Sequence, residues 1–455
     1  MSGANGAPLE DAARRAVEAA LSAGADQAEA WAEEAVTRQI RVYEENVESL
    51  TDAGSRGIGI RVFTGNRSGY AYGTDLSDEG IAQLGRTAEE NARVADEDEF
   101  AGLPERCGAA EVSGLFSPEL SKWDTERKVE LAVEVERTAR AHPQVSQVED
   151  VVYADAEGRV ALANSTGFVS SFESSSAWSY VSAFAGEGSD LMTGLGVGLA
   201  RDPSGLDPEA IGREGAERAA ALVGARQPES RRGPVVFDSF VAASFIGFIG
   251  GMLSADAVQR GRSLFAGKEG EEIASGELRL VDDGTDPEGP DSSPFDGEGS
   301  PRRRTQLIDD GRLLTFLFDA RTARKAGRET TGNAGRGSYR TPPGVSTSNL
   351  IIDPGSGGSL EDLARRVGDG LYVTDVAGLH SGVNPVSGTF SVGATGRLIE
   401  NGELGAPVRE MTIASDLVSM LKAVEAVGST TRWVPFGGSV KAAPLLLREM
   451  SISGS

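Results

Sequence analysis

The second half of the chain begins with Val235-Val-Phe-Asp-Ser-Phe240-Val-Ala-Ala-Ser-Phe245-Ile-Gly-Phe-Ile-Gly250-Gly-Met-Leu253, a short predicted strand followed by a long apolar run. The apolar run contains three glycines and is shorter than the ~20 residues that a helix needs to cross a bilayer. A run of this length and composition is typical of a buried segment in a globular domain. We therefore predict that it forms core rather than a membrane anchor.

We predict a linker directly before this stretch. Residues 225–234, Ala-Arg-Gln-Pro-Glu-Ser-Arg-Arg-Gly-Pro, are mostly polar and contain two prolines, as segments between domains often do. We predict two domains, an N-terminal mixed α/β domain over 1–225 and a β-rich C-terminal domain over 226–455. Helices and strands follow each other without a regular βαβ order, so the predicted fold class is α+β.

Hydrophobic spacing and turn residues indicate the main elements on both sides of the linker. We predict helices from Leu9 to Ser22 and from Thr125 to Ala141, and strands separated by Gly, Ser and Asn turns from Val145 to Leu199. Near the C-terminus, apolar residues at helical spacing predict a helix from Ser415 to Val427.

The composition excludes several classes of function. With 44 Lys plus Arg against 69 Asp plus Glu, the 455-residue chain has a formal net charge of −25, which disfavours binding to nucleic acid through a broad basic surface. There are two histidines, His142 and His380, and one cysteine, Cys107. A zinc site built from His and Cys would need nearly all of them from three distant segments.

The same residues bear on the compartment of the protein. One cysteine excludes an internal disulfide framework and fits a reducing environment. The first residues show no basic segment followed by an apolar one, so no secretory signal is expected. We predict a cytoplasmic protein.

Common catalytic and binding motifs are absent or weak. The sequence has no P-loop, no G-x-G-x-x-G and no G-x-S-x-G motif, so a Ser/His/Asp triad would have to use His142 or His380. His142 precedes a proline at a predicted helix end, where a cation commonly complements the helix dipole. The acidic segment 282–291 has Gly284 where an EF-hand needs Asp or Asn, so we interpret it as a turn-rich loop rather than a calcium site. The role of the whole acidic loop 282–298 stays open.

Several spaced motifs together point to a family. They are Arg260-Gly-Arg-Ser-Leu-Phe-Ala-Gly-Lys-Glu-Gly-Glu-Glu-Ile-Ala-Ser275, Val281-Asp-Asp-Gly-Thr285, Gly382-Val-Asn-Pro-Val-Ser-Gly388, Leu398-Ile-Glu-Asn-Gly-Glu403, Gly57-Ile-Gly-Ile-Arg-Val-Phe63 and the segment from Asp416 to Gly428. In this order they resemble the TldD/PmbA family of microbial metallopeptidase subunits over nearly the whole chain. In that family a TldD-type subunit carries a His-Glu-x-x-x-His zinc motif, and a TldE-type (PmbA-type) subunit lacks it.

The resemblance also implies where the zinc motif would lie in this chain. Ile246 and Gly251 stand at the histidine positions, Gly247 at the glutamate position and Trp433 near the third ligand, a cysteine. Neither Ile nor Gly offers a side-chain lone pair to a metal, and no carboxylate remains there to activate water. The expectation is a degenerate metal site, with no metal held by this chain.

The resemblance implies a TldE/PmbA-like subunit of a heteromeric metallopeptidase that cleaves unfolded or small peptides, natural-product or antitoxin peptides among them. The zinc is expected in a TldD-type partner, and this chain alone is expected to be inactive. A hetero-oligomer is expected, although a homodimer is an alternative. A Gly-rich segment supplies the candidate substrate-binding residues: His380, Gly382, Asn384, Ser387 and Gly388.

Two other functions remain open at the level of sequence. The first is a non-enzymatic regulatory protein of the gyrase or toxin–antitoxin modulator type, which the negative charge would restrict to protein partners. The second is a metal-independent hydrolase that uses a Ser, an Asp or His380, and it predicts activity that is lost in His380→Ala.

Overall fold

The computed structural model describes residues 7–435 and 438–455, and strands predominate over helices in it. The helices are α1 (Ala7–Ser22), α2 (Asp78–Val94), α3 (Thr125–Arg140), α4 (Pro208–Ala220), α5 (Ser239–Met252), α6 (Ala255–Gln259), α7 (Ala320–Ala326), α8 (Leu360–Val367), α9 (Leu379–Gly382) and α10 (Leu417–Lys422). The strands are β1 (Gln27–Tyr43), β2 (Asn46–Thr64), β3 (Arg67–Gly73), β4 (Val145–Asn164), β5 (Val169–Ala185), β6 (Met192–Ala200), β7 (Arg231–Phe237), β8 (Leu280–Asp283), β9 (Arg304–Asp309), β10 (Arg312–Leu313), β11 (Ala334–Gly335), β12 (Gly344–Val345), β13 (Asn349–Ile352), β14 (Gly370–Ala377), β15 (Thr389–Glu400), β16 (Glu403–Asp416), β17 (Val424–Val427), β18 (Arg432–Val434), β19 (Ser439–Ala442) and β20 (Leu445–Ser453). The predicted α+β class is confirmed.

The first half forms one antiparallel sheet in the order β3-β2-β1-β4-β5-β6. Alternate residues of β1, such as Ala28 and Ala30, are buried in one apolar core with residues of α1 and α2. Ile40 and Val42, further along the same strand, are buried with residues of α3 and α4. The period-2 alternation of a strand thus gives the sheet one face covered by helices.

Glycines bring α4 into direct contact with β6. A Cβ at Gly196 would lie 2.0 Å from the carbonyl oxygen of Ile211, and one at Gly194 would lie 2.2 Å from the backbone nitrogen of Ala219. No larger residue fits at such distances, so the helix lies on the strand backbone itself. This contact fixes α4 beside the outer edge of the sheet, where the candidate site lies.

The second half contains two larger sheets and a short one. One sheet has the order β10-β9-β8-β13-β19-β18, another has the order β16-β15-β14-β7-β20-β17, and β11 pairs with β12. Because β16 also pairs with β20, five strands of the second of these sheets close into a barrel. Among the described helices, none has the length and apolar character to cross a membrane.

The two halves are joined through the other face of the first sheet. Trp31 and Leu162 of that face pack with Phe295 and Tyr339 of the second half. Beside them a buried ionic network crosses the junction, and it consists of Glu29, Arg61, Glu298 and Arg336. The domain boundary at 225/226 stays a prediction, with the first sheet lying before it and the other sheets after it.

Candidate functional site

Helix α5 is the element at which the resemblance implies a metal site. Asp238 caps its N-terminus, since the Asp238 side chain accepts a 2.9 Å hydrogen bond from the backbone N–H of Phe240. Phe245 is buried between the rings of Phe237 and Phe390, with centroids 5.3 and 5.0 Å away. The apolar run is therefore a core helix, as its composition predicts.

The two positions implied for zinc-binding histidines lie on different sides of α5. Ile246 is only 1% exposed and belongs to the core, whereas Gly251 is exposed and a Cβ there would meet no atom within 4 Å. Five residues along an α-helix correspond to a rotation of about 140°, which explains the difference. Gly247 is half-buried.

The residues present do not fit a zinc ion. Trp433 lies on β18, and its indole Nε1–H, which can only donate, is buried with no acceptor among the described residues. The described part of the chain also brings no three His, Cys, Asp or Glu side chains together in a metal-binding cluster. Zinc requires lone pairs from such groups, and Ile246, Gly247 and Gly251 have none.

A cleft nevertheless lies along the N-terminal part of α5. It consists of two adjacent cavities of about 650 and 420 Å³, which share Arg218, Leu222 and Thr374. The larger cavity is lined by residues 191–195 at the start of β6 and by the first turns of α5, including Phe240. Cavities of this size are typical of binding sites for small ligands and peptides.

A network of charges at the start of α5 connects the two halves. Arg218 of α4 contacts both oxygens of Asp238, at 3.1 and 3.2 Å, and the Tyr372 hydroxyl donates to Asp238 Oδ2. Glu214 pairs with Arg218 at 3.2 Å and with Arg432 of β18. Burial alone would raise the pKa of Glu214, but its bonds with Arg432 and the charge of Arg218 hold the pKa below its ordinary value.

Asp375 is an acidic group in the wall of the cleft. Asp375 is exposed, and it lines the larger cavity beside Thr374 and Val376. Desolvation raises the pKa of Asp375, although the nearby charge of Arg218 opposes this shift. The cleft therefore presents both apolar surface and a carboxyl group to a ligand.

The open edge of β6 forms one rim of the larger cavity. The backbone N–H of Val197 donates to Glu214, and its C=O accepts from Arg432, so both groups point away from β5. Backbone direction alternates along a strand, so Leu195 and Thr193 direct their N–H and C=O groups to this edge as well. These two residues line the cavity and offer a peptide a row of backbone hydrogen-bonding groups.

The five residues predicted to bind substrate lie together in the segment that connects β14 to β15. His380 is exposed on α9, and no side chain of a described residue is hydrogen-bonded to it as a triad would require. The Asn384 side chain accepts hydrogen bonds from the backbone of Val386 and Ser387, so it organises the turn. None of the five residues lines the cleft along α5. Their role as substrate contacts stays a prediction.

Buried carboxylates of the acidic segment 282–298 accept hydrogen bonds from other residues of the chain. Asp282 accepts hydrogen bonds from Asn333 and from the backbone and hydroxyl of Ser348. Asp296 accepts from three backbone N–H groups, those of Glu298, Ser300 and Ala334. The interpretation as a turn-rich loop is wrong for Asp282 and Asp283, which belong to β8, whereas residues 284–298 do consist mainly of turns and irregular segments.

Sequence reasoning missed the residues that build the cleft. The cleft is lined by Thr193, Arg218 and Tyr372, and the charge network beside it includes Asp238 and Arg432. These residues are far apart in the sequence, and no motif links them. Only Asp238 gave a usable signal, because an aspartate directly before an apolar run is a common helix cap.

Family models match most of the chain. The model of the PmbA/TldA metallopeptidase C-terminal domain matches residues 230–454, that of the central domain matches 118–223, and that of domain 1 matches 28–92. The metalloprotease PmbA of Escherichia coli O157:H7 is 29% identical over 417 residues, which cover 90% of this chain and 88% of that protein.

Solved structures share the fold. A protein from Thermotoga maritima described as a candidate modulator of a DNA gyrase has a TM-score of 0.88 and 26% identity, covering 98% of this chain and all of that one. TldE from Thermococcus kodakarensis has a TM-score of 0.90 with 22% identity, covering 97% and 100% of the two chains.

Proposed function

Because the chain belongs to the PmbA/TldD family of metallopeptidases, we propose that it is a TldE-type subunit that binds peptide but holds no zinc. A TldD-type partner would supply the zinc, and the pair would cleave unfolded or small peptides, with natural-product and antitoxin peptides as candidate substrates. The proposed compartment is the cytoplasm, which agrees with a single cysteine in 455 residues.

One observation carries the proposal: a cleft lies beside a helix that lacks the chemistry of a metal site. Ile246, Gly247 and Gly251 offer no ligand atoms, whereas the cleft beside the same helix has the size and lining of a binding site. A subunit that binds substrate without activating water would show this combination.

The edge of β6 supports peptide binding. Thr193 and Leu195 present backbone groups that an extended peptide can pair with as an added strand. Leu191, which is 40% exposed, and the half-buried Val376 provide apolar surface for the side chains of such a peptide. Backbone pairing does not depend on sequence, so this mode suits an enzyme that takes many unfolded peptides.

An open strand edge supports a protein partner. β3 pairs with β2 only from Ile58 to Thr64, and the preceding residues 46–56 of β2 are all exposed. An exposed edge presents unpaired backbone N–H and C=O groups with which another chain can pair. We propose that the TldD-type subunit contacts this part of β2.

The proposal predicts activity only in the presence of the partner. When the chain is co-expressed with a TldD-type protein that carries His-Glu-x-x-x-His, the two should co-purify and hydrolyse an unstructured peptide such as casein fragments. A chelator should abolish this hydrolysis, since the zinc of the partner activates the water. The matched control is the same pair with the motif glutamate of the partner replaced by glutamine, which should bind peptide without cleaving it.

Chelator-resistant hydrolysis by this chain alone would contradict the proposal and favour a metal-independent hydrolase. In that case His380→Ala tests whether the exposed histidine takes part. Failure to associate with any TldD-type protein would favour a regulatory role through other partners.

A further inference from the structure

A cavity rich in arginine lies apart from the cleft, between the segment 104–106 and α7. It has a volume of about 350 Å³. The arginines that line it are Arg106, Arg302, Arg303, Arg324 and Arg328, and the carboxylates are Glu105 and Glu329. The lining is therefore positive, although the whole chain has a net charge of −25.

Neutral backbone carbonyls hold three of these arginines in place. Arg324 donates to the carbonyl oxygens of Phe100, Gly102 and Leu103, at 2.9, 2.7 and 2.8 Å. Such bonds fix the guanidinium group without an ion pair, and they do not use all five of its N–H donors.

Arg302 and Arg303 are held in the same way. Arg302 donates to the carbonyl oxygen of Gly332 at 2.8 Å and to the hydroxyl of Ser293 at 3.3 Å. Arg303 donates to the carbonyl oxygen of Thr330. Both guanidinium groups keep further donors for another acceptor.

Carboxylates pair with the other two arginines. Within residues 7–435 and 438–455, the five arginines form ion pairs only between Arg328 and Glu269 and, at 3.8 Å, between Arg106 and Glu329. Burial lowers the pKa of Arg324, and the nearby charge of Glu298 opposes this shift only in part.

We propose that this cavity binds a small organic anion. Its carboxylate or phosphate group pairs with Arg302, Arg303 and Arg324, because guanidinium groups bind both anions through parallel hydrogen bonds. The apolar part of the ligand packs on Pro104 and Pro301, which line the same cavity.

The acidic surface of the protein does not prevent this binding. At physiological ionic strength, charges more than about 8 Å apart in solvent are largely screened. A ligand inside the cavity therefore interacts mainly with the lining arginines. The cavity and the cleft share no lining residue, so the site is independent of the proposed peptide function.

Calorimetric titration of the full chain with inorganic phosphate and, separately, with N-acetylalanine tests the proposal. We expect at least one probe to bind the wild type, and Arg303→Gln to raise its dissociation constant about tenfold or more, since a charged hydrogen bond is lost. Arg303 is exposed and its neutral contact is a single carbonyl, so the variant should keep its melting temperature. Arg303→Glu should abolish binding.

Arg86→Gln is the matched control, because Arg86 is an exposed arginine on α2 outside the cavity and its variant should bind as the wild type does. Binding of phosphate alone would assign the site to phosphate esters, and binding of N-acetylalanine would assign it to carboxylates such as peptide C-termini. Absence of binding by both probes, or equal binding by wild type and Arg303→Gln, would overturn the proposal.

Discussion

Asp238→Ala should lower the free energy of unfolding by roughly 3–5 kcal/mol, the usual cost of removing one partner from a buried ion pair. Asp238 is 6% exposed, caps α5 and accepts hydrogen bonds from Arg218 and the Tyr372 hydroxyl. Its loss leaves the charge of Arg218 without this carboxylate at the junction of the two halves. Chemical denaturation followed by circular dichroism measures the change.

Asp124→Ala provides a matched control for this experiment. Asp124 caps α3 through the backbone N–H of Arg127, and the described structure gives it no ion pair. Loss of a cap alone costs about 1 kcal/mol. If Asp238→Ala cost no more than Asp124→Ala, Asp238 would act only as a cap, and the network would not stabilise the cleft.

Thr193→Pro should reduce peptide hydrolysis by the complex with its partner at least tenfold, which is about 1.4 kcal/mol of lost binding or orientation. Proline removes the N–H that Thr193 directs to the open edge, and it leaves the hydrogen bonds between β6 and β5 in place. The effect should appear in KM for an unstructured peptide, because peptide binding is what the edge provides.

Thr193→Val is the control, since valine keeps the backbone N–H and changes only the exposed side chain. It should cleave peptide at the wild-type rate. Equal losses in both variants would assign the effect to the side chain, and no loss in Thr193→Pro at an unchanged melting temperature would show that peptides do not pair with this edge.

The sequence predicted much of the local structure but not every turn. Residues 39–50 are rich in Ile, Val and alternating charge, which predicts one extended segment. The chain instead turns at Glu44 and Glu45, which have φ of 51° and 56°. Glutamate rarely adopts such angles, and a tight hairpin usually shows Asn or Gly there. The turn is stabilised from outside, since both backbone N–H groups donate to the Glu136 carboxylate, at 2.8 and 2.7 Å.

One predicted helix is partly a strand in the structure, because it pairs with a distant strand. The predicted helix from Ser415 to Val427 is wrong in its second half, because α10 ends at Lys422 and β17 follows as a strand that pairs with β20. The apolar spacing in this segment is compatible with a helix and with a strand. Pairing with the distant residues Leu445–Leu447 makes its second half a strand.

The candidate site was predictable only where it could be compared with a motif. The absence of ligands at Ile246, Gly247 and Gly251 follows from the sequence, given the resemblance. The position of the cleft does not follow from the sequence. Thr193 and Asp375 are 182 positions apart and meet only through the packing of α4, β6 and β14.

The zinc content of the chain purified by itself from zinc-supplemented cells tests the central claim most directly. Elemental analysis by mass spectrometry should find only background zinc in this chain, because its α5 offers no ligand side chains at the implied positions. The complex with a TldD-type partner should contain zinc that is lost when the partner's motif histidines are replaced. One tightly bound zinc per molecule of this chain alone would contradict the account.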